Sequence, residues 1–149
     1  MMVRSRLSRL ASPPAPAFDV SGAGGILREY RRGESVFRQG DRTSDIFYVK
    51  RGGVQLSTQS TAGRQAKVGL LGPGDFFGEG CLTGQRARTG TATAVTPCVI
   101  LRISRRKITK LLQQRVMADR FMAHLLSRLV RMEEDLAEYL SLGLKRGVL

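Results

Sequence analysis

The sequence predicts a mainly β domain followed by helix, and three observations carry that prediction. Short β-prone runs succeed one another from about Leu27 to Ile103, and turn residues cut them apart. No helical segment of crossover length stands between them, which argues for a small sandwich or barrel and against a parallel sheet. From Ser104 onward the apolar spacing becomes that of helices.

Residues 1–24 read as a disordered leader. Pro13, Pro14 and Pro16, then Gly22, Gly24 and Gly25, leave nothing that holds a helix or strand for long. Arg4, Arg6 and Arg9 with Ser5, Ser8 and Ser12 also suit a transit peptide, whereas a secretory signal would need an apolar stretch behind Arg9. Residues 25–114 form the expected β domain. Its runs are Ser35-Val36-Phe37, Ile46 to Val49, Val54 to Ser57, Val68 to Leu71, Thr91 to Val95 and Val99 to Ile103. Between them lie Gly40-Asp41, Gly52-Gly53, Ala62-Gly63 and Gly72-Pro73-Gly74-Asp75. Val54 and Leu56 alternate with Gln55 and Ser57, as in a strand buried on one face.

Ser104 caps a short helix expected through Gln114. A long helix over residues 115–142 follows, free of Gly and Pro from Val116, with Gly143 as its stop and residues 143–149 as a tail. Met122, Leu125, Leu129, Met132, Leu136 and Tyr139 recur at alternating spacings of three and four, the period of a helix–helix seam. Phe121, Leu126 and Val130 lie off this seam, where they can rest on the barrel. A helix buried against its own domain is the simpler reading; two apolar faces favour a homodimer seam.

Composition narrows the function. The chain has 149 residues, enough for one domain, with 25 Lys+Arg against 12 Asp+Glu and a net charge of +13. Such a charge attracts polyanions generally, and Arg102, Arg105, Arg106, Lys107, Lys110, Arg115, Arg128 and Arg131 are the residues for it. They are not massed in one aromatic-interleaved patch, so DNA binding is expected only non-specifically. One histidine, His124, and two cysteines, Cys81 and Cys98, cannot furnish a His-rich metal centre, a zinc ribbon or a disulfide framework. Lone thiols fit a reducing cytoplasm, and no apolar run is long enough to span a membrane. His124 reads as a structural histidine, and Cys81 and Cys98 as small buried residues.

One stretch carries chemistry: Leu71-Gly72-Pro73-Gly74-Asp75-Phe76-Phe77-Gly78-Glu79-Gly80-Cys81-Leu82, continuing through Arg86-Ala87-Arg88-Thr89-Gly90-Thr91-Ala92. Small residues let main chain approach a ligand, and free N–H groups at a short helix attract anions. Arg88 can clamp a phosphate bidentately, Thr89 can add a hydroxyl, and Glu79 can accept from ribose hydroxyls. The parts describe a sugar-phosphate pocket; the plainer alternative is a glycine-rich loop with surface arginines. No second catalytic group accompanies Glu79, so an enzyme is not expected.

With these residues in place, the stretch from about Arg28 to Tyr139 resembles the cyclic-nucleotide-binding domain of the Crp/Fnr family of bacterial transcription regulators. Gly33 before Val36-Phe37, Gly40-Asp41 before Phe47-Tyr48-Val49, Gly52-Gly53-Val54 and the cassette from Gly78 to Ala94 carry the resemblance. It implies an antiparallel β-roll, a jelly-roll-like double-stranded β-helix with short flanking helices and a long C-terminal dimerisation helix. It further implies cAMP or another cyclic nucleotide as ligand and no other cofactor. Glu79 would bond the ribose 2′-hydroxyl, Arg88 and Thr89 would hold the cyclic phosphate, and main-chain amides around Gly80, Cys81 and Leu82 beside Gly78 would complete the cradle. Gly80 and Gly90 depart from the family's aliphatic and alanine, which predicts a looser cassette. Met132-Glu133-Glu134-Asp135 offers no hydroxyl where cAMP-responsive members contact adenine from the dimer helix. Ser141 to Leu149 is too short for the family's helix-turn-helix. The expected function is the sensor and dimerisation module of such a regulator, with effector binding coupled to movement of the dimer helix. The alternative is a ligand-free dimerising scaffold or a truncated regulator remnant.

Overall fold

The protein's structure, a computed structural model, describes residues 24–145. The expected leader lies outside the described residues except for Gly24, and so do the last four residues of the expected tail. Eight strands form two four-stranded sheets in which every pairing is antiparallel. The first sheet has the order β1-β8-β3-β6, from β1 (Ile26–Tyr30), β8 (Cys98–Ser104), β3 (Asp45–Arg51) and β6 (Phe76–Phe77). The second has the order β2-β7-β4-β5, from β2 (Ser35–Phe37), β7 (Thr91–Ala94), β4 (Val54–Gln59) and β5 (Gln65–Leu71). This is the antiparallel β-roll with its long terminal helix that the sequence predicts.

Strand β3 shows how the residues dictate the layers. Its run Asp45 to Val49 is buried throughout because it has apolar neighbours on both faces. Ile46 and Tyr48 face a core shared with Leu101, Ile103 and the helices. Phe47 and Val49 face the opposite way, into a core between the sheets with Val54, Leu71 and Ile100. Period-two alternation thus feeds two cores from one strand. Phe76 and Phe77 do the same in two residues: both are fully buried, Phe76 in the first core and Phe77 in the second. The sequence reading took them as aromatics after a turn, since two residues are too few for a period. It also passed over β1, an edge strand that leaves Ile26 and Leu27 exposed and shows no alternation.

Helix α1 (Arg105–Leu111) is capped by Ser104, whose hydroxyl accepts the Lys107 N–H at 3.2 Å. Helix α2 (Arg115–Lys145) runs straight through Gly143, so the expected stop there is corrected. Gly143 keeps helical geometry and does not adopt the left-handed conformation that ends a helix. Phe121 enters the first core as expected, and Met117 and Leu125 pack at its edge. Leu126 and Val130 do not rest on the roll: they are 55% and 51% exposed. At about 100° per residue they sit about 140° and 180° around the helix from Phe121. Of the expected seam, Met122, Leu129, Met132, Leu136 and Tyr139 are exposed, while Leu125 is partly taken up by the roll. No helix among the described residues is long and apolar enough to cross a membrane.

Candidate functional site

The turn after β6 is built around a glycine. Gly78 adopts φ +77°, in the left-handed region, and opens a single 3₁₀ turn over Glu79–Leu82. A Cβ on Gly78 would lie 2.9 Å from Arg88 Nη1 and 3.1 Å from the Phe47 ring. The missing side chain is therefore the space that Arg88 occupies.

Arg88 is 5% exposed, and main-chain bonds pin it at both ends: its N–H donates to Asp41 O at 2.7 Å and its carbonyl accepts from Gly40 N–H at 2.8 Å. The guanidinium donates to Gly78 O at 2.7 Å and to Asp45 O at 2.5 Å. Its face lies 4.3 Å from the Phe37 ring centroid and 5.7 Å from that of Phe47. Nε has no hydrogen-bond partner. Among the described residues no carboxylate forms an ion pair with it. Burial lowers its pKa from the usual arginine value, opposed by Cys81, Asp45, Glu79 and Asp41. A cation desolvated this far without a counter-charge is costly, and an anion beside it would offset that cost.

Arg88 borders a cavity of about 340 Å³. Gly78, Glu79, Gly80, Arg88 and Thr89 line it together, facing Phe37, Leu56 and Val68 of the opposite sheet. The structure therefore brings together five of the seven residues picked from the sequence for the cradle. The side chains of Cys81 and Leu82 turn away: Cys81 is buried in the first core and Leu82 packs against it. Whatever those two offer the cavity comes from main chain. Arg86 is exposed and lies outside the lining.

The two unusual glycines do not loosen this loop. A Cβ on Gly80 would fall 2.1 Å from Gln85 Oε1, so the Gln85 side chain fills the space an aliphatic residue would use. A Cβ on Gly90 would fall 2.7 Å from Ser57 O, so the bare residue lets the loop close on β4. Burial pushes the Cys81 and Cys98 thiols up, which keeps both protonated and unreactive at neutral pH.

Helix α2 supplies a wall residue that the sequence reading missed. Arg128, assigned there to polyanion binding, is buried and lines the cavity. It donates to Phe76 O and lies 3.3 Å from Glu79 Oε2. Its position held a usable signal, since it follows Phe121 and Leu125 at core spacing, where a solvated arginine does not belong. Met132, Glu133 and Glu134 are exposed and do not line the cavity. Arg131 pairs with Asp75 at 2.7 Å and Arg102 with Asp45 at 2.5 Å, which withdraws them too from a free basic surface.

Comparison with known proteins follows this geometry. Residues 27–115 match the family model described as the cyclic nucleotide-binding domain. The chain is 33% identical over 109 residues to the cyclic AMP receptor protein of Thermus thermophilus, covering 73% of this chain and 50% of that protein. It is 40% identical over 91 residues to the cAMP-dependent protein kinase regulatory subunit of Mycosarcoma maydis, covering 58% of this chain and 17% of that one. Among solved structures, the c-di-GMP responsive global regulator CLP of Xanthomonas campestris superposes with a TM-score of 0.71 at 26% identity, over 80% of this chain and 59% of that one. The chain thus spans at most about half the length of these two curated relatives.

Gly78→Ala tests the bracket around Arg88, with Gly84→Ala as control. Gly84 has φ +79° but open space around its Cβ position, so only the conformational cost of about 1–2 kcal/mol is expected there. Gly78→Ala should cost a further 1–3 kcal/mol or so, because it also displaces a charged hydrogen-bonding group. Urea midpoints of the two variants give the comparison; equal losses would mean that Arg88 does not depend on Gly78.

Proposed function

Because the chain belongs to the cyclic nucleotide-binding domain family, we propose that it binds a cyclic nucleotide in the cavity beside Arg88 and reports the binding through helix α2. The observation that carries this reading is the desolvated Arg88 guanidinium in the cavity wall, held by two carbonyls and without an ion pair among the described residues. A cyclic phosphate bears one negative charge and two free oxygens, so it fits a planar donor fork. Thr89, exposed on the same wall, adds a hydroxyl donor, and the amides after Gly78 add main-chain donors. Glu79 accepts from the ribose 2′-hydroxyl. Leu56, Val68 and Phe37 offer an apolar bed for the base, which supports a purine without choosing between adenine and guanine.

Coupling runs through Glu79. It faces both the ribose and Arg128, so a ligand that recruits Glu79 changes the partner of an α2 side chain. The outer face of α2 keeps Met122, Leu129, Met132, Leu136 and Tyr139 exposed over several turns. That stripe supports a homodimer in which nucleotide binding shifts the helix arrangement. Relatives named as cAMP-activated transcriptional regulators support the same role, a sensor module of a Crp/Fnr-type regulator, for the whole protein.

A thermal-shift screen with cAMP, cGMP and a cyclic dinucleotide tests the site. Saturation at about a hundred times the dissociation constant adds about 2.7 kcal/mol and raises the midpoint roughly 5–10 °C. Arg88→Ala should abolish the rise, and Thr89→Val, which changes only an exposed hydroxyl, should weaken binding about tenfold. A rise that survives both variants would overturn the site, and no rise with any nucleotide would favour the ligand-free scaffold. For the seam, Leu129→Asp should halve the mass measured by light scattering; a wild-type protein that is already monomeric would refute the dimer.

A further inference from the structure

Phe76 stands two residues before Gly78 and joins the first core to the cavity wall. Side chains of α2 hold both of its main-chain polar groups. Its N–H donates to His124 Nε2 at 3.1 Å, and its carbonyl accepts from Arg128 Nη1. Asp75, one residue earlier, accepts from Arg131 Nη2 at 2.7 Å through Oδ1 and from Gly72 N–H at 2.9 Å through Oδ2. Three turns of one helix face therefore clamp Asp75-Phe76 and, through Arg128, touch Glu79.

Within this joint only His124 can change its hydrogen-bonding character near neutral pH. Acceptance at Nε2 requires a neutral ring with its proton on Nδ1. A protonated ring carries N–H at both nitrogens and would aim a donor at the Phe76 N–H. The charged groups around it are Asp75, whose Oδ1 lies 3.9 Å from Nε2, then Glu79, Arg128 and Arg131, with the Phe76 ring edge-on at 5.3 Å. The two carboxylates already hold arginines, so they offset only part of the cost of the incoming proton.

Building on the cyclic-nucleotide reading, we propose that His124 is a positioning residue whose neutral ring fixes Phe76 and the Gly78-Glu79 wall, so that proton uptake at this joint weakens nucleotide binding. Burial, ahead of the neighbouring charges, holds the His124 pKa below the usual histidine value. The neutral form is therefore favoured in the folded protein. Binding is flat above about pH 6.5 and falls as pH drops through the lower, folded-state value. Gln can accept the Phe76 N–H without titrating, whereas Leu can neither accept nor titrate.

Titration with cAMP between about pH 8 and pH 5 is the test, on wild type, His124→Gln and His124→Leu. Exchange protection of the Phe76 amide, corrected for intrinsic rate, is followed over the same range without nucleotide. Wild-type affinity should fall severalfold on acidification below about pH 6.5, following the fraction of charged ring. His124→Gln should stay within about twofold across the range, and His124→Leu should be weak by a similar factor throughout. Superimposable pH profiles for wild type and His124→Gln would overturn the proposal. If wild type binds none of cAMP, cGMP or a cyclic dinucleotide even at pH 8, the nucleotide reading fails and the amide decides the joint. Protection lost on acidification in wild type and kept in His124→Gln upholds it; equal protection overturns it.

Discussion

A buried cation held by main-chain carbonyls organises this protein. The two guanidinium bonds of Arg88 end on Gly78 O and Asp45 O. Carbonyls orient the guanidinium without neutralising it, so the charge stays available to a ligand. The left-handed Gly78 follows from this arrangement, because any side chain there would strike the guanidinium. The aromatic pair Phe37 and Phe47 follows as well, since a desolvated guanidinium is tolerated best against ring faces. Asp45 contributes its carbonyl to Arg88 and its carboxylate to Arg102, so one residue serves the cavity and the sheet surface at once.

Helix α2 divides its labour by face. The inner face mixes Phe121 and Leu125 with His124, Arg128 and Arg131, so the contact with the roll is half apolar and half hydrogen-bonded. Apolar contacts tolerate small slides, whereas directional bonds to Phe76 and Asp75 allow few positions. A joint of that kind holds the helix in a defined position on the roll. The outer face is an apolar stripe that the roll does not cover. Three of the arginines, Arg102, Arg128 and Arg131, pair with carboxylates within the fold. Arg105, Arg106 and Lys110 remain on α1, where they line a shallow open depression.

The elements that the sequence made legible are those with a period or a cap. β3, β4 and β8 could be read from their apolar runs, α1 from Ser104, and the long helix from its spacing. β1 and β6 were hidden because an exposed edge strand and a two-residue strand have no alternation to read. The end of α2 was misread because glycine stops a helix only where the chain turns left-handed, and Gly143 does not. At the site, Gly78, Glu79, Arg88 and Thr89 were legible as a cassette. Their supports were not: Asp45 acts through its carbonyl, which no side-chain pattern signals, and Gln85 fills the space beside Gly80. Arg128 was visible as a cation but not as a wall residue, because its burial depends on how α2 lies against the roll. Leu126 and Val130 were misplaced for the same reason, since the rotation of the helix is fixed by Phe121.

We propose that the charge on Arg88 is kept without an ion-pair partner for a cyclic phosphate. A crystal structure of the chain grown with cAMP tests it most directly. The phosphate is expected within hydrogen-bond distance of Arg88 and Thr89, the ribose 2′-hydroxyl on Glu79, and the Gly78 and Asp45 carbonyls still bonded to the guanidinium. A nucleotide bound elsewhere, or a phosphate held by Arg86 with Arg88 unmoved and unpaired, would contradict it.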